Sequence, residues 1–120
     1  MASHTFTILR ADDLERSGDW SLARRSLGLS AFGLNLVDIQ PRGQIPEHDE
    51  TARDQEEVFV VLSGEATILI DGDEHDLPEG TFARLDPELT RTVVNRGSRP
   101  VRLLIASAPR TSGYEPMGWA

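Results

Sequence analysis

The chain contains no cysteine and no lysine. The first absence excludes disulfides, thiolate nucleophiles and sulfur-ligated zinc or iron–sulfur centres. The second excludes Schiff-base chemistry through a side-chain amine and leaves arginine as the source of all twelve basic side chains. Against them stand 20 carboxylates, for a net charge of −8. That sign predicts no nucleic-acid partner, because phosphate backbones are held by basic surface. The local cluster Arg91, Arg96, Arg99 and Arg102 reads most simply as solvated guanidinium groups around a turn. No apolar run approaches the roughly 20 residues that span a bilayer, so no membrane association is expected. Residues Met1 to Thr7 show no basic segment followed by an apolar core. The expectation is therefore a chain without a secretory leader, located in the cytoplasm.

What is present is ordinary soluble-protein composition, 38% hydrophobic and 27% charged over 120 residues. That length suits one domain over residues 1–120 with a single core. Residues 5–10 read as a short strand or an extended arm, and Asp12 to Arg16 as one helical turn. Residues 20–27 are expected to be extended. Phe32, Leu34 and Leu36 alternate with Gly33, Asn35 and Val37, the period of a strand with one face in the core. Pro41-Arg42-Gly43 ends it. The acidic run 44–56 around His48 reads as a solvated loop unless spacing singles out a member.

Strand patterns then follow in close succession. Glu57 to Leu62 carries β-branched and aromatic residues, with Glu57, Phe59 and Val61 on one face. Ser63-Gly64 turns the chain, residues 65–70 return, and Asp71-Gly72 is a hairpin signal. Residues 74–77, 81–85, 90–94 and 100–106 complete the set. His75 and the carboxylates Asp71, Asp73, Glu74 and Asp76 lack the ordered spacing of a calcium loop and read as hairpin solvation. Residues 107–120 form a tail whose aromatics suggest packing on a surface or a neighbouring subunit. Eight or more short strands with almost no helix predict an all-β antiparallel sandwich or barrel.

The stretch from Gly43 to Asn95 resembles the cupins, small β-barrels of the jelly-roll type. Their first motif runs glycine, a gap, His-x-His, a gap, glutamate, six residues, glycine. Gly43, His48, Glu50, Glu57 and Gly64 stand in that order over residues 43–64, with six residues between the last two. The second motif runs glycine, five residues, Pro-x-Gly, two residues, histidine, three residues, asparagine. Gly80 and Asn95 match it over residues 80–95, with Asp86, Glu88 and Arg91 in the proline, glycine and histidine positions. The resemblance implies an antiparallel jelly-roll β-barrel with an N-terminal extended arm, a short C-terminal tail and a homodimeric assembly.

A typical cupin holds a divalent ion with three histidines and one glutamate. Carried onto this chain, the ligands implied are His48, Glu50 in place of the second histidine, and Glu57. Arg91 takes the place of the third histidine. A guanidinium stays protonated and has no lone pair for a metal. One imidazole and two carboxylates suit iron(II), manganese or magnesium better than softer ions. Glu57, if buried, needs a metal or an arginine such as Arg91 or Arg84 to offset its charge. In Phe82-Ala-Arg84-Leu85, either Phe82 and Arg84 or Ala83 and Leu85 face inward. With Arg84 and Arg91 both inward and Phe59 on the cavity wall, the barrel would hold a small anionic ligand.

Three functions remain open at this point. One is a cavity binding a small anionic organic molecule beside a degenerate metal site. Another is an iron- or manganese-dependent dioxygenase, isomerase or lyase acting on a small carboxylate or sugar-derived substrate. The third is a structural dimer whose pocket is closed by a Glu57–Arg91 salt bridge. A shared barrel does not choose among them.

Overall fold

A computed structural model describes residues 4–120. The first three positions of the expected domain and of the leader reading lie outside the described residues. Nine strands occur among those residues: β1 (Arg16–Ser17), β2 (Trp20–Ser21), β3 (Gly33–Ile39), β4 (Gln55–Ser63), β5 (Ala66–Ile70), β6 (Asp73–Leu77), β7 (Phe82–Leu85), β8 (Arg91–Val94) and β9 (Val101–Pro109). Six form one antiparallel sheet in the order β1-β2-β3-β9-β4-β7. The other three form a smaller antiparallel sheet, β6-β5-β8. The loop segment 44–48 extends the smaller sheet, because Gln44 bridges Val94 and His48 bridges Arg91.

The two sheets face each other across one core. Val37, Ile39, Phe59, Val61, Leu103 and Ile105 enter it from the larger sheet, and Ala66, Ile68, Leu77 and Val93 from the smaller. The period-two patterns of β4 and β9 place alternate residues in this layer, as a pleated strand must. The result is the all-β antiparallel jelly roll expected from the sequence, with an N-terminal arm and a C-terminal tail.

Two turns show how the chain is bent. At the β5–β6 hairpin both Asp71 (φ 49°) and Gly72 (φ 87°) are left-handed, the conformation that matches the twist of two paired strands. Gly64, at φ 88°, is fixed by space as well, since a Cβ there would lie 2.8 Å from the Pro100 carbonyl oxygen.

Two local expectations are corrected. Residues 20–27 are not one extended segment: after β2 the chain forms a short helix, α1 (Ala23–Leu27). Ser26 Oγ donates to the Leu22 carbonyl, and Ala23 packs with Leu14 and Leu36 in a second small cluster. Tertiary burial thus decides a stretch whose local preferences are weak. In β3, Val37 and Ile39 join the main core. Leu34 and Leu36 belong to the second cluster, packed with Ala23 of α1. The strand therefore has apolar residues on both faces, and its alternation alone does not identify the core side.

Candidate metal centre

His48, Glu50 and Glu57 reach one point from three positions. His48 is the cross-strand neighbour of Arg91, with His48 N–H donating to Arg91 O at 3.0 Å and Arg91 N–H to His48 O at 2.8 Å. Glu50 follows on a turn tied at both ends: its N–H donates to Pro87 O at 2.9 Å, and its carbonyl accepts from Gln55 N–H at 3.2 Å. The residues between Glu50 and Glu57 are taken up by a 3-10 turn over Thr51–Arg53, pinned by Asp49 Oδ1 accepting from Thr51 N–H and Oγ1–H. Glu57 then enters on β4, on the inward face with Phe59 and Val61.

The three side chains offer one donor atom each, all within 4.8 Å of one another. His48 Nε2 lies 3.2 Å from Glu50 Oε1 and 3.5 Å from Glu57 Oε1. His48 Nδ1 lies 2.9 Å from the Pro46 carbonyl oxygen, which can only accept, so Nδ1 carries a proton. In the neutral ring Nε2 is then left with a lone pair directed at the two carboxylates. This is the tautomer a metal-binding histidine uses.

Glu57 is only 6% exposed, and its Oε1 has no hydrogen-bond partner. Burial pushes its carboxyl pKa up, Glu50 adds to the rise, and His48 and Arg91 pull the other way. Arg91 has no exposed surface at all. Its Nε sits 3.8 Å from Glu57 Oε1 without hydrogen-bonding it, and Nη2 donates to the Asp86 carbonyl at 2.9 Å. Nε and Nη1 lack partners. The Glu57–Arg91 salt bridge therefore exists as a loose charge contact that leaves one carboxylate oxygen unpaired.

A divalent ion fits this arrangement. Ligand atoms about 2.1 Å from a hard cation stand roughly 3 Å apart in adjacent positions, close to the observed spacings from His48 Nε2. One nitrogen and two carboxylates form a donor set for iron(II), manganese or magnesium, and an ion there would satisfy the orphaned Glu57 oxygen.

The three donors line a cavity of about 610 Å³. Its buried lining residues are Ile45, Glu57 and Ile105, and Trp20, Phe32 and Leu34 supply further apolar surface. Asn35, Gln55 and Ser107 add uncharged polar groups. The Glu57–Arg91 contact does not fill this space.

Of the other residues expected at the site, none lines the cavity. Arg84 points outward, where Nη1 bonds Glu56 Oε2 at 2.8 Å and Asp86 Oδ1 at 2.7 Å. The parity of β7 is settled by Leu85, which is buried, and Phe82, which is 72% exposed. Phe59 is wholly enclosed in the core and packs between the sheets. Arg91 is fully enclosed beside Glu57, so it offers charge to the carboxylate and no surface to a ligand. The cavity residues that sequence reasoning missed include Arg24, Asn35, Arg53, Gln55 and Ser107. The β3 alternation could have suggested Asn35, which shares its face with Val37. The two arginines lie outside any motif and come together only through the fold.

The cupin-domain family Cupin_2 matches residues 35–107. The chain belongs to the cupin family. Solved cupins share its architecture. A cupin protein from Bacteroides fragilis superposes with a TM-score of 0.80 at 19% identity, over 98% of this chain and 94% of that one. A sugar phosphate isomerase of the cupin superfamily from Silicibacter pomeroyi gives 0.72 at 22% identity, covering 85% of this chain and 75% of that one. A Cupin 2 conserved barrel domain protein from Salinispora arenicola gives 0.67 at 15% identity, covering 92% and 93%. Identities this low speak for the shared cupin fold alone. No curated protein matches the chain. No helix among the described residues is long and apolar enough to cross a membrane.

Proposed function

We propose that this cupin holds a divalent ion of the iron(II) or manganese kind through His48 Nε2, Glu50 and Glu57, and binds a small organic molecule in the cavity that opens onto that ion. The observation that carries the reading is the buried, unpartnered Glu57 Oε1 set 3.5 Å from a histidine nitrogen whose tautomer leaves a lone pair there. A bound ion would supply Lewis-acid polarisation of an oxygen on that molecule. The chain's own parts are distinct. Pro46 O orients the imidazole, and the paired 3-10 turn holds Glu50. Arg91 opposes the rise that burial imposes on the Glu57 carboxyl, and the apolar walls limit water. Three protein donors leave coordination positions free, which fits isomerase, lyase or dioxygenase chemistry as well as simple binding. The resemblance in fold to a sugar phosphate isomerase is compatible with the first of these. The cytoplasmic location expected from the sequence belongs to the same reading.

Elemental analysis after anaerobic purification, with iron(II) and manganese reconstitution of chelator-treated protein, tests the proposal. One equivalent of metal is expected, with loss of binding in Glu57→Gln. Protein that stays metal-free after reconstitution overturns it.

The partner proposed beside the small molecule is a second copy of the chain. Val58-Phe59-Val60-Val61-Leu62 is apolar at every position, whereas a strand facing water on one side alternates. Its outward residues Val58, Val60 and Leu62 adjoin exposed Phe82 and half-buried Leu104 and Ala106. Charged pairs, Glu56 with Arg84 and Asp38 with Arg102, stand around this apolar centre, the anatomy of an interface with a polar rim. Exposed Phe6, Ile8, Tyr114 and Trp119 give the same chain further apolar surface to cover. Sedimentation equilibrium is expected to report a dimer that Val60→Glu converts to a monomer. A wild-type monomer at the highest soluble concentration refutes the second copy.

A further inference from the structure

The distribution of arginine partners marks a second recognition element in the cavity. Seven of the twelve arginines have a carboxylate within salt-bridge distance: Arg16, Arg25, Arg84, Arg91, Arg96, Arg102 and Arg110. On a chain with 20 carboxylates and a net charge of −8, pairing is the expected state of an arginine. Arg10, Arg24, Arg42, Arg53 and Arg99 have no such partner among the described residues, and two of these five line the cavity that holds His48, Glu50 and Glu57. Arg24 comes from α1, where Nη1 donates to the Leu29 carbonyl at 3.2 Å, a bond that leaves the remaining N–H groups free. Arg53 ends the 3-10 turn that positions Glu50. Both are exposed, while Glu57 and the cavity's apolar walls at Ile45 and Ile105 are buried. The cavity thus combines the buried Glu57 and apolar walls with an exposed rim at Arg24 and Arg53, neither of which has a carboxylate within salt-bridge distance among the described residues.

We infer that Arg24 and Arg53 bind the acidic end of a bifunctional ligand, a small organic molecule whose other end reaches the His48–Glu50–Glu57 cluster. Its acidic end is a carboxylate or a phosphate monoester. A guanidinium presents a planar fork that fits either oxyanion. An acidic protein repels small anions at long range, and a local pair of unneutralised arginines reverses that field at the point of entry. The apolar walls of the cavity take a short carbon chain, and a volume of about 610 Å³ lies within the roughly 300–1,000 Å³ of small-molecule pockets. The assignment of the far end rests on the metal-site reading; the assignment of the acidic end to Arg24 and Arg53 rests on the rim alone.

Calorimetry with two matched pairs of probes separates these elements. 2-Hydroxyglutarate and 2-hydroxybutyrate share an α-hydroxy acid and differ in a remote carboxylate. 3-Phosphoglycerate and glycerate differ in a remote phosphate. Wild-type protein, loaded with manganese or treated with chelator, is expected to favour the acid-tailed member of at least one pair by about ten-fold. The preferred pair identifies the acid as carboxylate or phosphate. The preference is expected to weaken as salt rises. In Arg24→Gln/Arg53→Gln it is expected to fall below about two-fold, with affinity for the short-tailed probe unchanged. No preference in the wild type, a preference that survives in the double variant, or failure of all four probes to bind overturns the inference. Failure of the metal reading registers separately, as absent metal and as indifference of every probe to Glu57→Gln, and leaves the ratio within each pair intact.

Discussion

A double-mutant cycle on Glu57 and Arg91 tests the electrostatics on which the site depends. Both side chains are buried, and the closest charged atoms are 3.8 Å apart. At an effective permittivity of about 20, that separation gives an attraction of roughly 4 kcal/mol before desolvation is counted. Removing one member of such a pair leaves the other buried and uncompensated, at a cost of about 3–5 kcal/mol. The substitutions of choice are Glu57→Gln and Arg91→Met, studied by urea unfolding in chelator so that no metal holds the carboxylate. Arg91→Met also removes the bond from Nη2 to Asp86 O, worth about 1 kcal/mol. That loss occurs in the single and double variants alike and cancels in the cycle. The double variant is expected to be less destabilised than the sum of the singles, by about 2–4 kcal/mol.

The same pair predicts a pH signature. Burial and Glu50 raise the Glu57 pKa above 4.5 in the folded state, and Arg91 opposes that rise. A raised pKa means that protonated Glu57 favours the fold fully below about pH 4.5, a contribution lost as pH climbs through the folded value. Without Arg91 the folded pKa moves further up. The deficit of Arg91→Met is therefore expected to be smallest in acid and to grow toward neutral pH. Additivity within about 0.5 kcal/mol, or a deficit that does not change with pH, refutes the view that Arg91 acts on Glu57 through its charge.

Other consequences are simpler to measure. Asp38 accepts from Arg102 Nε and Nη2 at 2.9 and 3.2 Å; this bonding, with Arg16 assisting, lowers its pKa below 3.8. Its stabilisation is complete above the unfolded value and disappears as pH falls through the folded one. Asp38→Asn is thus expected to cost about 1–2 kcal/mol at pH 7 and almost nothing at the acid end, by thermal unfolding across pH. Asn95 is buried, with Nδ2 donating to Ile39 O and Arg99 O and Oδ1 accepting from Gly97 N–H. Asn95→Ala is expected to lose about 2–4 kcal/mol in urea unfolding, and a loss under about 1 kcal/mol contradicts this assignment. Gly64→Ala combines a left-handed backbone with a clash against the Pro100 carbonyl; a melting-temperature drop of roughly 8 °C or more is expected.

Much of the jelly roll was legible in the sequence because its turns need special residues. Asp71-Gly72 adopts the left-handed pair that a tight hairpin demands, Gly64 occupies a place with no room for a side chain, and Asn95 satisfies three backbone groups at a bend. The donors His48, Glu50 and Glu57 were legible through their spacing. Between Glu50 and Glu57 lies a 3-10 turn that the acidic run does not announce. What could not be read was direction. Arg84 on β7 needed the facing strand to decide its side. The Leu34–Leu36 face of β3 needed α1, and α1 forms because Ala23 has Leu14 and Leu36 to pack against. Arg24 and Arg53 come to the same cavity only after folding, so no linear pattern brings them together.

The enclosure of Arg91 also constrains how the donor set can be altered. Relative to three neutral imidazoles and one carboxylate, Glu50 adds a negative charge and Arg91 adds a positive one, so the total around an ion is unchanged. Positions 50 and 91 therefore act as a unit of exchange. Putting histidine at 91 alone offers a fourth donor and removes a cation, leaving a surplus negative charge in an enclosed site. Such a variant attracts a hard divalent ion more strongly and is less stable when empty. Restoring the family's usual ligands without that imbalance requires histidine at both positions together.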